Sequence, residues 1–161
     1  MATPALLSQV LLAKGRSAAL DDIMEVMDTA FGSRFGESWT RSQCAGILPM
    51  AGVSLVVARD PGDGQTVGFS LSLTVADESE LLLLGVLPER HRQGIGSRLL
   101  EEFVDQARAH GAERVHLEVR DGNPAVGMYR RAGFHAVGRR RNYYHASDGR
   151  HFDALTLVKE V

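Results

Sequence analysis

The chain has 161 residues, 44% of them hydrophobic and 24% charged, with a net charge of −2 at neutral pH. That length suits one domain over residues 1–161, with enough apolar side chains for a core. Near-neutral charge gives no bulk attraction to nucleic acid or an anionic membrane, no apolar run approaches the ~20 residues of a membrane span, and a lone cysteine, Cys44, excludes an internal disulfide.

Residues 1–15 carry no basic segment ahead of their apolar part, so they do not read as a secretory signal. With one unpaired cysteine, this predicts a cytoplasmic protein. Cys44 lies among Ala45, Ile47 and Leu48 and reads as a core residue.

In chain order, residues 6–13 read as a first strand. Ser17 is placed to cap a helix over 18–31, with Leu20, Ile23, Met24, Met27 and Phe31 along one face. A loop over 32–38 precedes Trp39 and a short helix over 40–48. Strands over 53–59 and 66–74 flank the turn Pro61-Gly62-Asp63-Gly64 and read as a hairpin. Residues 77–80 then lead into an apolar run, Leu81 to Leu84 with Val86 and Leu87. It reads as a buried strand, stopped by Pro88, which has no N–H for a ladder. A charged glycine turn follows over 89–96. Beyond it Ile95, Leu99, Leu100, Phe103, Val104 and Ala107 mark one face of a helix.

Gly111 is placed to end that helix, and residues 114–120 alternate apolar with polar as a strand. Strand, helix and strand make a βαβ unit whose strands are parallel neighbours. Pro124 suits the first position of a helix running to 132, where Gly133 ends it. Residues 134–142 and 152–159 read as two closing strands around a polar loop over 143–150. The fold class is α/β: a mixed, mostly antiparallel sheet around a parallel βαβ core, with helices on both faces.

The turn into the long helix is a place to hold an anion. The first N–H groups of a helix lack internal partners, and the macrodipole makes that end partly positive. Gly94 and Gly96 keep side chains away from those groups, while Arg90, Arg92 and Arg98 add charge nearby. A Walker loop fits poorly, because Gly96 is followed by Ser97 and Arg98 rather than Lys and Ser/Thr. A dinucleotide loop fits poorly too, because Leu99 stands where its third glycine belongs.

The run His91-Arg92-Gln93-Gly94-Ile95-Gly96, after Val86-Leu87-Pro88, resembles the pyrophosphate loop of the GNAT superfamily of acetyltransferases, Gln/Arg-x-x-Gly-x-Gly/Ala. His91 replaces the usual first residue. Leu117-Glu118-Val119-Arg120, Asn123 and Met128-Tyr129-Arg130-Arg131-Ala132-Gly133-Phe134 resemble the second half of a GNAT domain. The step from Asn123 to Tyr129 is one position shorter than is usual there. Arg140-Arg141-Asn142-Tyr143-Tyr144, then Ser147-Asp148-Gly149-Arg150, is similar to the tail of the ribosomal-protein-alanine N-acetyltransferases. Phe31 to Trp39, ahead of a short helix, is a further point of likeness.

The resemblance implies a GNAT fold, acetyl-CoA as cosubstrate, and acyl transfer from a thioester to an amine, most simply a protein N-terminal α-amine. Only a neutral amine attacks. With an ordinary pKa near 8, roughly a tenth of an α-amine is neutral at pH 7, against well under a thousandth of a lysine near 10.4. The resemblance assigns Glu118 as general base through a water, and Tyr129 as general acid beside the departing sulfur. It places the coenzyme's diphosphate on Arg92, Gln93, Gly94, Ile95, Gly96 and Ser97. The pantetheine arm falls on Asn123, and the acetyl carbonyl on main-chain N–H groups of Val86 and Leu87. Tyr143, Tyr144 and the loop to Arg150 would wall a peptide cleft. Arg139, Arg140 and Arg141 read as a solvated strand end. The histidines have no metal-ligand spacing, so no metal is predicted. Acetylation of a small-molecule amine or a lysine, and a non-catalytic acetyl-CoA-binding module, remain open. So does the choice between monomer and dimer.

Overall fold

The computed structural model describes residues 9–161. The start of the first expected strand, and the reading of the N-terminus as lacking a leader, lie outside the described residues. Among these residues no helix is long and apolar enough to cross a membrane.

Among the described residues seven strands form one sheet: β1 (Leu11–Gly15), β2 (Val53–Arg59), β3 (Thr66–Val75), β4 (Glu78–Val86), β5 (Arg114–Arg120), β6 (His135–His145) and β7 (His151–Glu160). Their order is β1-β2-β3-β4-β5-β7-β6, with β4 and β5 parallel and every other pair antiparallel. Four α-helices accompany them: α1 (Leu20–Ala30), α2 (Arg41–Ile47), α3 (Ile95–Ala109) and α4 (Ala125–Arg131). β2 and β5 coincide with their expected bounds.

Neighbouring residues of β3 and β4 place helices on both faces. Phe69 pairs with Gly85, and a side chain added at Gly85 would meet Phe31, at the end of α1. The next pair, Gly68 and Val86, faces the other way, and a side chain added at Gly68 would meet Leu99 and Ile95 of α3. The six apolar residues named for the α3 face are all buried, none more than 5% exposed. Each large one contributes about 1.5–3 kcal/mol through burial.

Two local readings are corrected. Ser17 does not cap α1: the chain first makes a 3₁₀ turn, Ser17–Ala19, with no side-chain cap bond. Pro124 does take the expected place, with helical φ −56° and ψ −24° just ahead of Ala125, and the Asn123 side chain before it does the capping by accepting the Ala125 N–H at 2.8 Å. The last hairpin loop is shorter than 143–150, because Tyr143 and Tyr144 continue β6 and the turn starts at Ala146. Aromatic residues suit a strand. An irregularity in pairing between Arg140 and Tyr144 absorbs Asn142, whose φ is 53° and whose N–H donates to Asp153 Oδ1 at 3.0 Å.

The feature that shapes the molecule is in β4. Leu71 pairs with Leu83, but Ser72 pairs with Leu81, so Leu82 is an extra residue. Such a bulge bends its strand. The parallel pairing with β5 runs only from Glu78–Arg114 to Leu81–Leu117. Beyond that point β4 and β5 part.

Candidate active site

The fork between β4 and β5 opens into a cleft of about 990 Å³. One end is the glycine turn, the middle is the fork, and the far end is walled by the α1–α2 loop and by β6.

At the first end, Arg92 (φ 61°) and Gly94 (φ 80°) turn the chain into α3. The Arg98 N–H donates to the Gly94 carbonyl at 3.0 Å, which begins the helical pattern. The N–H groups of Ile95, Gly96 and Ser97 therefore have no partner within the helix, and no side chain caps it. Arg92, Gly94, Ile95, Gly96 and Ser97 all line the cleft, and the space beside Gly94 is open. Gln93 does not line it. Its Oε1 accepts from Arg90 Nε at 2.9 Å, and Arg90 is also paired with Asp60 at 2.7 Å. The Gly62 N–H, and then Arg90, hold the Asp60 carboxyl below its ordinary value. Arg98 leaves the turn and donates to the Val10 carbonyl.

In the middle, the ladder decides which amides are free. The Leu87 N–H donates to the Val67 carbonyl at 2.8 Å. Leu87, expected to present its amide to the cleft, is therefore turned into the sheet and does not line the cleft. Antiparallel pairs alternate between bonded and non-bonded. With Leu87–Val67 and Gly85–Phe69 bonded, Val86 and Leu84 turn their N–H and C=O groups away from β3, toward the fork. The Val86 carbonyl accepts from His91 Nε2 at 2.9 Å. Leu84 was not signalled by the sequence, because the parity depends on cross-strand register.

Glu118 and Tyr129 both line this cleft. The Glu118 side chain is 9% exposed, with Oε1 paired to Arg140 Nε at 3.0 Å and Oε2 accepting from Thr156 Oγ1 at 2.7 Å. Arg140 is thus half of an ion pair rather than a purely solvated charge. Tyr129 is 6% exposed. Burial, and then the charge of Glu37, push its phenol well above the ordinary tyrosine value, so it stays protonated.

At the far end, the Tyr144 hydroxyl donates to the Glu118 carbonyl at 3.3 Å, and Tyr143 packs edge-on against Tyr144 at 4.9 Å. Burial comes first, with nearby acidic groups after it, in pushing both phenols up. The α1–α2 loop closes on this wall. Gly36 (φ 72°) lies against the His145 backbone so closely that a side chain there would strike the His145 carbonyl. Thr40 and Gln43 form a capping box at the start of α2 and fix where the loop ends. Asn123 lines the cleft with its amide engaged twice, by the Ala125 N–H and by Glu37. Glu37, supplied by the loop, has no local sequence signal. Among the described residues no group of His, Cys, Asp and Glu is arranged to hold a metal ion.

The model of the Acetyltransferase (GNAT) family matches residues 20–134 of this chain. The chain belongs to that family. As a GNAT acetyltransferase it is an acyltransferase that uses acetyl-CoA. The [ribosomal protein bS18]-alanine N-acetyltransferase of Escherichia coli K12 is 38% identical over 100 residues, covering 62% of this chain and 67% of that protein. The N-alpha-acetyltransferase RimI of Mycobacterium tuberculosis is 41% identical over 102 residues, covering 60% and 61%. The crystal structure of the Escherichia coli ribosomal-protein-S18-alanine N-acetyltransferase superposes with a TM-score of 0.84 at 25% identity, covering 95% of this chain and 94% of that one. Arabidopsis thaliana NAA60 in complex with acetyl-CoA shares the fold, with a TM-score of 0.81 at 20% identity, covering 95% and 99%.

The residues of this GNAT enzyme fit its cosubstrate. A diphosphate needs donors without competing side chains, and the uncapped start of α3 offers them beside open space at Gly94.

Proposed function

We propose that this chain acetylates the α-amine of a protein N-terminus, of the ribosomal-protein class for which its Escherichia coli relative is named. The observation that carries the reading is that one cleft is lined by a largely buried carboxylate, a buried phenol and the main chain of Leu84 and Val86. The fork lies between an anion cradle and an aromatic wall. The unbroken seven-stranded sheet supports reading the chain as one domain.

Bound acetyl-CoA supplies the activated acyl group and a thiolate leaving group. Glu118, held by Arg140 and Thr156, takes the proton of the incoming amine through one water. The amine nitrogen forms its bond to the carbonyl carbon as the carbon–sulfur bond breaks. The N–H groups of Val86 and Leu84 donate to the carbonyl oxygen as charge gathers there. Tyr129, kept neutral by burial, returns a proton to the sulfur. Arg92, Gly94, Ile95, Gly96 and Ser97 hold the diphosphate, with the main chain of Gln93 between them. Tyr143 and Tyr144 flank the acceptor peptide.

Thiol release followed with DTNB tests the reading. Acetyl-CoA with short peptides starting Ala, Ser or Met gives turnover on at least one, lost when its α-amine is blocked, with little on free lysine. Equal turnover on lysine or a small amine moves the enzyme to another acceptor class. No turnover on any amine, despite measurable binding of acetyl-CoA, makes it a binding module.

A further inference from the structure

The α1–α2 loop brings one carboxylate, Glu37, to the wall of the cleft. Its side chain is 11% exposed, and each oxygen has a partner. Oε1 accepts from Arg120 Nε at 3.2 Å, and Oε2 accepts from Asn123 Nδ2 at 2.9 Å. These partners lie 83 and 86 residues further along the chain, at the end of β5 and the start of α4. A carboxylate this far from water is costly unless it is paired and hydrogen-bonded. Arg120 supplies the charge, and its guanidinium lies 3.6 Å from the centre of the Phe35 ring, so the pair is braced from the loop side as well.

Asn123 passes the constraint on. While its amide nitrogen donates to Glu37, its Oδ1 accepts the Ala125 N–H at 2.8 Å. Ala125 opens α4, and Tyr129 stands four positions later, about one turn along the same face. Carboxylate, amide, helix start and phenol are therefore linked in series. The charge of Glu37 also acts on the phenol directly, adding to burial in opposing its ionisation.

We infer that Glu37 is a positioning residue for acyl transfer: through Asn123 it fixes the start of α4, and with it the place of the Tyr129 hydroxyl in the fork. The inference rests on the reading of Tyr129 as the acid. It differs from a purely structural brace in what it says about coupling. A brace between loop and sheet would affect stability and every kinetic parameter without regard to the phenol. A residue acting through the phenol loses its effect once the hydroxyl is gone.

The test is a double-mutant cycle on the purified full chain, read by thiol release. Glu37→Gln keeps the volume and removes the charge. Its kcat falls about tenfold, a loss typical of a misplaced group, while KM for acetyl-CoA stays within about twofold. In the Tyr129→Phe background the same substitution lowers kcat by less than about twofold, because losses through one group do not add. Circular dichroism checks the fold. If Glu37→Gln does not fold, Glu37→Asp replaces it: the charge is kept, but the carboxylate is one methylene short of Asn123, and the same pattern is expected. Equal fold losses in both backgrounds, or a parental kcat in the Glu37 variant, overturn the inference alone. A Tyr129→Phe enzyme as fast as the parent overturns the acid role of the phenol and the inference with it.

Discussion

The two ends of the cleft are built from different material. The glycine-turn end is main chain: the uncapped N–H groups of α3, set by the left-handed residues Arg92 and Gly94, all from one short stretch of sequence. The far end, which we read as the acceptor end, is side chain: Glu37, Arg120, Asn123 and Arg140, drawn from two loops and two strands and held by ion pairs and a hydrogen bond. A main-chain cradle cannot be removed by trimming side chains, only by changing the backbone path. A side-chain wall can be altered one group at a time. The difference teaches why a common cosubstrate site can stand beside acceptor sites that vary, since the two are specified by different parts of the chemistry.

Five substitutions break or sharpen that contrast. The largest effect comes where the two ends meet. Glu118→Gln and Tyr129→Phe each lower kcat by ~10²-fold or more, measured by thiol release at saturating substrates. Gly36→Ala addresses the acceptor end. Its positive φ and the His145 carbonyl in the way make the loop shift, costing about 1–3 kcal/mol in thermal stability and raising peptide KM about tenfold, with acetyl-CoA KM unchanged. Gly94→Ala addresses the other end. Nothing would touch the added methyl, so the cost is that of the left-handed backbone, about 1–2 kcal/mol, and it appears as a several-fold rise in acetyl-CoA KM with peptide KM unchanged. If both variants move both constants together, the ends are not independent.

The smallest effect concerns the hairpin behind Tyr143. The Asn142 N–H, and then the Arg139 guanidinium, hold the Asp153 carboxyl below its ordinary value. A depressed carboxylate adds stability that is present above the unfolded value, about 3.9, and is lost as pH falls through its folded value. Asp153→Asn is therefore slightly less stable than the parent at neutral pH, and the gap in Tm narrows below about pH 4. A gap that is constant with pH means the carboxylate charge does not matter there.

The glycine-turn end was largely legible in sequence because its determinants are local. An apolar run, a proline, two glycines and a helical apolar face stand in order between Leu81 and Ala107. The same locality let β2 and β5 be placed from their composition. What escaped depends on register or on distance. Leu87 and Leu84 differ only in which side of β4 their amides face, and that parity is fixed by β3. Tyr143 and Tyr144 stand next to an Asn and a polar turn, which read as loop until the Asp153 contact with Asn142 shows how the strand passes through. Glu37 is one acid in a glycine-containing loop, and only its partners beyond residue 119 give it meaning.

Leu82 has a consequence for how this chain tolerates changes of length. The extra residue reverses the alternation of β4 midway, so that Leu81 and Leu84 address one layer of helices while Leu83 and Gly85 address the other. A deletion within this leucine run would rejoin the ladder, exchange the faces of the segment on one side of it, and remove the bend that opens the fork. The turn over 60–65 is free of such counting. A change of length at that turn or at the 146–150 tip leaves the alternation of β4 as it is, whereas one between Leu81 and Val86 does not.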